Sequence, residues 1–271
     1  MIRNARILTI ALSVLFSGTS LFAQTMKFAT NRIVAHRGAW KAQNLPENSL
    51  AALKQAIKLG CEGSEFDVHR TADDSIVINH DPIYAGMDIA RSTYNQLNQQ
   101  KLANGESLPT LRQFLETGIQ QKSTKLFLEI KPSSISKSHG QETAACIVAL
   151  VKELKAEPWI VYISFDYDIL KKIRSLDSSA NLQYLNGDIP PARLKSDKIN
   201  GADYNFYLFR DKPKWIEEAR QLGIDLNVWT VNEKSDIEFF SGRGFRYITT
   251  NEPELALDCC RRPEEKQAPE R

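Results

Sequence analysis

The run Leu126-Phe127-Leu128-Glu129-Ile130-Lys131 decides how the rest of the chain is read. Side chains alternate with period two along a strand. Leu126, Leu128 and Ile130 therefore share one face, while Phe127 opens the other and Glu129 and Lys131 close it. A strand apolar on both faces belongs in a parallel sheet covered by helices, not in a sheet with one side in water. Working outward, β-rich runs recur at 32–35, 64–68, 160–165, 182–186, 203–207, 226–231 and 247–250. Helix-period segments fall between them at 48–59, 111–119, 142–154, 167–176, 214–222, 235–240 and 252–259. Eight strands alternating with helices, and no Pro/Ser-rich linker, predict a single α/β domain: a (β/α)8 TIM barrel over 24–260. A doubly wound sheet yields the same alternation, so periodicity leaves it as the competing architecture.

The irregular piece is 71–107, a short insertion after the second strand. It holds a short strand at 76–79 and then polar, turn-rich sequence whose sizeable apolar groups are Tyr84, Met87, Ile89 and Tyr94. A loop of that length without a strong helix predicts a segment lying over one end of the barrel, where a substrate would be selected.

The ends read differently. Residues 1–23 combine Arg3 and Arg6, an apolar run from Ile7 to Phe16, and a small residue at Ala23. That is the pattern of a secretory signal peptide cleaved after Ala23, which predicts a secreted or periplasmic protein with no membrane span after cleavage. Residues 261–271, rich in Pro, Glu, Lys and Arg, are expected to be a disordered tail. Lys and Arg number 35 against 33 Asp and Glu, and a net charge of +2 supplies no field for a nucleic-acid backbone. Cys61, Cys146, Cys259 and Cys260 lack zinc-site spacing. A bond between the adjacent Cys259 and Cys260 would be strained, and Cys61 could reach one of them across barrel closure; buried free thiols are the default expectation.

Chemistry enters at the strand ends. The first strand runs into His36-Arg37-Gly38, the second carries Glu65 and Asp67 on one face, and the short strand leads into His80-Asp81. The third true strand holds Glu129 and Lys131, again on one face, and the seventh ends at Trp229. Each of these alone has an ordinary structural explanation, such as a surface ion pair. Their repetition at the ends of apolar strands does not, because buried charge is expensive, and in a barrel those ends converge on one mouth. Glu65, Asp67 and Glu129 offer hard oxygen ligands suited to a divalent cation, Mg²⁺ or Ca²⁺. Arg37 and Lys131 can neutralise an oxyanion. His36 and His80 can act as general base and acid. Together the set describes metal-assisted cleavage of a phosphodiester. His69 and His139 lack that setting.

The strings His36-Arg37-Gly38, Pro46-Glu47-Asn48-Ser49, Glu65-Phe66-Asp67-Val68, Thr71-x-Asp73 and His80-Asp81 resemble the signature of glycerophosphodiester phosphodiesterases. Leu108-Pro109-Thr110-Leu111, Glu129-Ile130-Lys131 and Val228-Trp229-Thr230-Val231-Asn232 continue it in order, so the likeness runs from about Arg32 to Pro253. The resemblance implies hydrolysis of glycerophosphodiesters to glycerol 3-phosphate and an alcohol, with a divalent cation. It implies His36 and His80 as the acid/base pair, Glu65, Asp67 and Glu129 as metal ligands, and Arg37 and Lys131 as phosphate contacts. It places Trp229 at the pocket wall, where barrel core is the alternative, and Glu47 in the pocket as a supporting hydrogen-bonder or a ligand. Two stretches depart from the family pattern: Pro82-Ile83-Tyr84-Ala85-Gly86 lacks a basic, Thr-rich continuation, and the last strand ends Thr249-Thr250-Asn251-Glu252-Pro253 where an acidic residue commonly precedes the proline segment. Neither is expected to touch a catalytic position. A phospholipase C- or D-like enzyme acting on lipid or lysolipid phosphodiesters is the alternative function, and it would need an apolar rim at the mouth.

Overall fold

The computed structural model describes residues 26–260, so the expected signal peptide and tail lie outside the described residues. The chain begins with β1 (Ile33–Ala35), α1 (Leu50–Leu59) and β2 (Gly63–Arg70). The insertion follows, with β3 (Ile76–Ile78), β4 (Ile83–Tyr84), β5 (Met87–Asp88) and α2 (Tyr94–Leu97). Regular alternation then resumes with α3 (Leu111–Gly118), β6 (Lys125–Ile130), α4 (Lys137–Glu153), β7 (Ile160–Ser164), α5 (Tyr167–Leu176) and β8 (Asn181–Tyr184). Last come α6 (Pro191–Ser196), β9 (Gly201–Asn205), α7 (Phe206–Asp211), α8 (Pro213–Leu222), β10 (Asp225–Trp229), α9 (Lys234–Gly242), β11 (Tyr247–Thr250) and α10 (Pro253–Cys260).

Strands β1, β2, β6, β7, β8, β9, β10 and β11 pair in that order, all in parallel, and β1 pairs with β11 as well as with β2. The sheet is therefore a closed barrel, and the doubly wound alternative falls. Period-two alternation separates two cores. Phe66, Leu128 and Ile130 point outward into the layer shared with the helices. Val34, Phe127, Val161, Ile163, Leu185 and Tyr247 fill the barrel interior, where the Phe127 ring meets Tyr247 edge-on at 4.9 Å.

Local chemistry moves several boundaries from their expected places. Strand β9 stops at Asn205 rather than 207, because the Asn205 side chain accepts from Tyr207 N and starts α7. Helix α4 begins at Lys137 rather than 142, because Ser136 caps it through His139 N. Helix α1 begins at Leu50, with Ser49 accepting from Ala52 N. Helices α6 and α7, six residues each, were not expected, since one and a half turns leave too little periodicity to detect.

The insertion is less polar than its sequence suggested. Strand β3 pairs antiparallel with the last three residues of β2, β4 and β5 form a small hairpin, and a Thr93/Gln96 capping box starts α2. Val77, Ile89, Leu97 and Leu108 bury a separate small core, with Tyr84, Met87 and Tyr94 packed on it. Leu97 was missing from the expected apolar set because a lone Leu on a single helical turn has no period to announce it. All four cysteines are free, but only Cys61 is buried, and Cys146 is exposed. Among the described residues, no helix is long and apolar enough to cross a membrane.

Candidate active site

The His36-Arg37-Gly38 turn follows β1 directly. Arg37 and Gly38 both have left-handed backbone (φ 58° and 80°). A Cβ on Gly38 would lie 2.7 Å from the Ala52 carbonyl carbon, so glycine is required there. The turn aims Arg37 N at Glu65 Oε2, 2.8 Å away. Asn48, also left-handed, fastens the turn from below: its N donates to Arg37 O. Its Nδ2 donates to Asp67 Oδ2 at 2.8 Å, and its Oδ1 accepts from Asp67 N at 3.2 Å.

Asp67 and Glu129 are direct neighbours in the β2–β6 register. Glu65, Asp67 and Glu129 are all buried and bring one oxygen each within 4.8 Å of one another. Lys131 Nζ lies 2.7 Å from both Asp67 Oδ1 and Glu129 Oε1. At that distance the one ammonium makes charge-assisted contacts with both carboxylates. Arg37 Nε is 3.7 Å from Asp67 Oδ2. Glu65 Oε1 has no hydrogen-bond partner among the described residues.

Three buried carboxylates facing one ammonium set the proton affinities. Burial and then Asp67 and Glu129 push the Glu65 carboxyl well above the usual range. Burial and Asp67 push Glu129 up to about 8, against the pull of Lys131. Burial would raise Asp67 too, but Lys131 and the Asn48 hydrogen bond outweigh it and hold it low. Lys131 is raised, because its two carboxylates outweigh its own desolvation. An orphaned carboxylate oxygen among all-oxygen donors with excess negative charge fits a hard divalent cation. The residues that would hold it are Glu65, Asp67 and Glu129.

His36 Nδ1 is 2.7 Å from Asn251 Oδ1, so Nδ1 carries the hydrogen and Nε2 is left as an acceptor. That Nε2 sits 3.9 Å from Glu65 Oε2. Burial and the Arg37 charge hold the imidazole down to about 4 despite the Asn251 bond. His80 is tied differently: its Nδ1 is 2.7 Å from the Asp81 carboxylate, and its side chain is 36% exposed at the root of the insertion. Glu47 accepts from Arg37 Nη1 through both oxygens, at 2.9 and 3.0 Å. It therefore orients the guanidinium and stands outside the acidic trio.

His36, Arg37, Glu65, His80, Glu129, Lys131 and Trp229 all line one cavity of about 120 Å³. Trp229 is cavity wall that also packs on the barrel-interior core: its Nε1 donates to Asp203 O at 2.9 Å, and its ring meets Phe165 edge-on. Four further residues matter that the sequence reading passed over. The stretch 249–253 does touch a catalytic candidate, contrary to expectation, because pairing of β1 with β11 brings Asn251 to His36. Asn48 anchors Asp67; its place inside the Pro46-Glu47-Asn48 string was the available signal. Asp203 lines the cavity from β9, and its parity, opposite to that of buried Ala202 and Tyr204, could have exposed it. His69 Nε2 lies 3.1 Å from the His80 carbonyl oxygen and so braces the loop that carries His80. His139 pairs with Ser133 Oγ at 2.8 Å, outside the cavity.

The sequence profile of the glycerophosphoryl diester phosphodiesterase family matches residues 36–255. A glycerophosphodiester phosphodiesterase of Caldanaerobacter subterraneus subsp. tengcongensis is 28% identical over 244 residues, covering 85% of this chain and 98% of that protein. The crystal structure of a glycerophosphodiester phosphodiesterase from Parabacteroides distasonis superposes with a TM-score of 0.82 at 35% identity, covering 84% of this chain and 96% of that one. An Oleispira antarctica phosphodiesterase, solved in complex with sn-glycerol-3-phosphate, shares the fold with a TM-score of 0.74 at 23% identity, covering 84% of this chain and 96% of its own. Profile, barrel and cavity agree that the chain belongs to the glycerophosphoryl diester phosphodiesterase family and is an enzyme that hydrolyses phosphoric diesters.

Proposed function

We propose that the protein hydrolyses glycerophosphodiesters to glycerol 3-phosphate and an alcohol with a divalent cation, Mg²⁺ or Ca²⁺, using His36 as base and His80 as acid. The observation that carries this reading is the unequal anchoring of the two imidazoles around one cavity: His36 Nδ1 meets a neutral amide and His80 Nδ1 a carboxylate. The amide in a buried setting keeps the His36 ring neutral with Nε2 as acceptor, whereas Asp81 anchors His80 through Nδ1 and leaves its Nε2 for proton transfer. The bound product of the Oleispira relative supports glycerol 3-phosphate as the product class here.

Bound at Glu65, Asp67 and Glu129, the cation would polarise the phosphoryl oxygens and lower the charge that the attack builds up. Arg37, oriented by Glu47 and with Nε free of a hydrogen-bond partner among the described residues, holds the phosphate from the side, and Lys131 adds a second positive charge. His36 Nε2 takes the proton of the attacking hydroxyl, either the glycerol 2-hydroxyl or water. The phosphorus–oxygen bond to the alcohol breaks, and His80 gives its proton to the departing oxygen. If the 2-hydroxyl attacks, the cyclic phosphate is opened by water with the two histidines in exchanged roles. His80 stands beside the insertion, so the alcohol leaves on the insertion side.

We also propose that residues 1–23 direct the chain to a secreted or periplasmic location, on the strength of the basic start, apolar run and small residue at Ala23. The test of function is a panel of glycerophosphodiesters, with lysophosphatidylcholine as the lipid arm, assayed for glycerol 3-phosphate with Mg²⁺, Ca²⁺ or EDTA. Turnover is expected with the deacylated diesters, abolished by EDTA and by His36→Ala or His80→Ala with unchanged thermal unfolding. Near-normal turnover in both histidine variants would overturn the mechanism. Preferential turnover of the lysolipid would favour the phospholipase-like alternative.

A further inference from the structure

Asp203 is a fourth carboxyl in the cavity, and the mechanism above gives it no task. Strand β9 lies four strands from β2 in either direction around the ring, so Asp203 faces the Glu65–Asp67 side from across the barrel. Its surroundings differ from those of the acidic trio. Ile163, Phe165, Leu185 and Trp229 line the cavity with it, and Trp229 Nε1 grips its backbone oxygen. The residue is 2% exposed, yet Oδ1 has no hydrogen-bond partner among the described residues. Burial, and next the negative charge of Glu129, push its carboxyl well above the usual range and keep it neutral. A buried acceptor left unpaired on an apolar wall is unfavourable, and a ligand donor is the economical explanation.

The positions of the other groups say which donor. On the proposed reading the phosphate is held by Arg37, Lys131 and a cation at the acidic cluster, and the leaving alcohol departs past His80. The glycerol end of the diester must then point toward the opposite wall. Its carbon atoms suit Ile163, Leu185 and Trp229, and its hydroxyls need an acceptor. We propose that Asp203 is the specificity-determining residue that accepts a hydrogen bond from a free glycerol hydroxyl, so that the site selects deacylated diesters. An acyl group on that hydroxyl removes the donor and leaves the buried carboxyl unpaired, which is how a polar pocket rejects an analogue. The assignment rests on the glycerophosphodiester reading of the site.

The experiment is calorimetric titration of the Mg²⁺- or Ca²⁺-loaded protein with glycerol 3-phosphate and, separately, with inorganic phosphate. The wild type is expected to bind glycerol 3-phosphate more tightly. Asp203→Ala should weaken glycerol 3-phosphate by about 2- to 10-fold, the range for a hydrogen bond to a neutral group. Inorganic phosphate should be unaffected. Asp203→Leu, which suits the apolar wall and serves if the alanine variant folds poorly, should show the same loss. Asp203→Asn keeps an acceptor oxygen and should recover part of the affinity. Equal weakening of both ligands would mark Asp203 as merely structural, and retained preference in the Ala and Leu variants would also overturn the assignment. Wild-type turnover of glycerophosphocholine is the control: its presence confines such a failure to Asp203, and its absence sinks the underlying reading as well.

Discussion

Replacing Glu65 by Gln should move stability in opposite directions with and without a divalent cation. Glu65 Oε2 accepts from Arg37 N, and a Gln carbonyl can keep that bond. Oε1 has no partner to lose among the described residues. Two ionised carboxylates with oxygens no more than 4.8 Å apart repel by about 3.5 kcal/mol or more at an effective dielectric constant of about 20. In the metal-free protein Glu65 avoids part of that repulsion by holding a proton, as its raised pKa implies. The neutral amide should therefore leave stability in EDTA unchanged or raise it, by no more than one such term. With the ion present at about 100 times its dissociation constant, the wild type gains about 2.7 kcal/mol. For a chain of this size that is roughly 5–10 °C in Tm. Glu65→Gln should lose most of that gain, so the two unfolding curves exchange order between EDTA and millimolar Mg²⁺ or Ca²⁺. Calorimetric unfolding of both proteins in both buffers measures this directly. An equal loss of stability in the two buffers would reduce Glu65 to an ordinary structural residue, and a wild-type Tm that ignores both ions would refute the divalent site.

Three further outcomes follow from the same geometry. Asn251→Leu removes the acceptor that fixes the His36 tautomer; kcat should fall, bounded by the factor of about 10²–10⁴ that a positioned general base supplies, while phosphate binding measured by titration stays near normal. Gly38→Ala puts a Cβ against the Ala52 backbone at a φ of 80°. About 2 kcal/mol of strain is expected there, seen as a Tm lower by roughly 4–8 °C, and an unchanged Tm would contradict it. Burial, and next Glu254, push the Cys61 thiol up to about 12 against an ordinary 9.0. Above pH 9 the unfolded chain therefore releases a proton that the folded one keeps, so stability falls as pH rises by up to about 1.4 kcal/mol per unit from this group. Cys61→Ala should flatten that decline in alkaline urea titrations, and a thiol reagent should label exposed Cys146 at once but Cys61 only on unfolding.

Much of this protein could be read from its residues in order. The two-faced apolar character of 126–131 called for a covered parallel strand, and β6 is one. Period-two parity alone put Glu65 with Asp67 and Glu129 with Lys131, because facing within a strand is a local property of the backbone. Seven of the nine site residues that the short motifs gathered line the cavity, and Asp67 and Glu47 do not. What the linear order could not supply was the partner of each group. His36 meets Asn251 across 215 positions because β1 closes on β11. That one contact distinguishes the roles proposed for the two histidines. Asp203 has meaning only because β9 lies opposite β2 around a closed ring. Leu97 is core only because the insertion folds back on β3. Strand, parity and donor chemistry follow from neighbours along the chain, and so the sequence by itself determined them. Hydrogen-bond partners, burial and the proton affinities that depend on both are set by closure of the barrel, which brings together residues that no local pattern links.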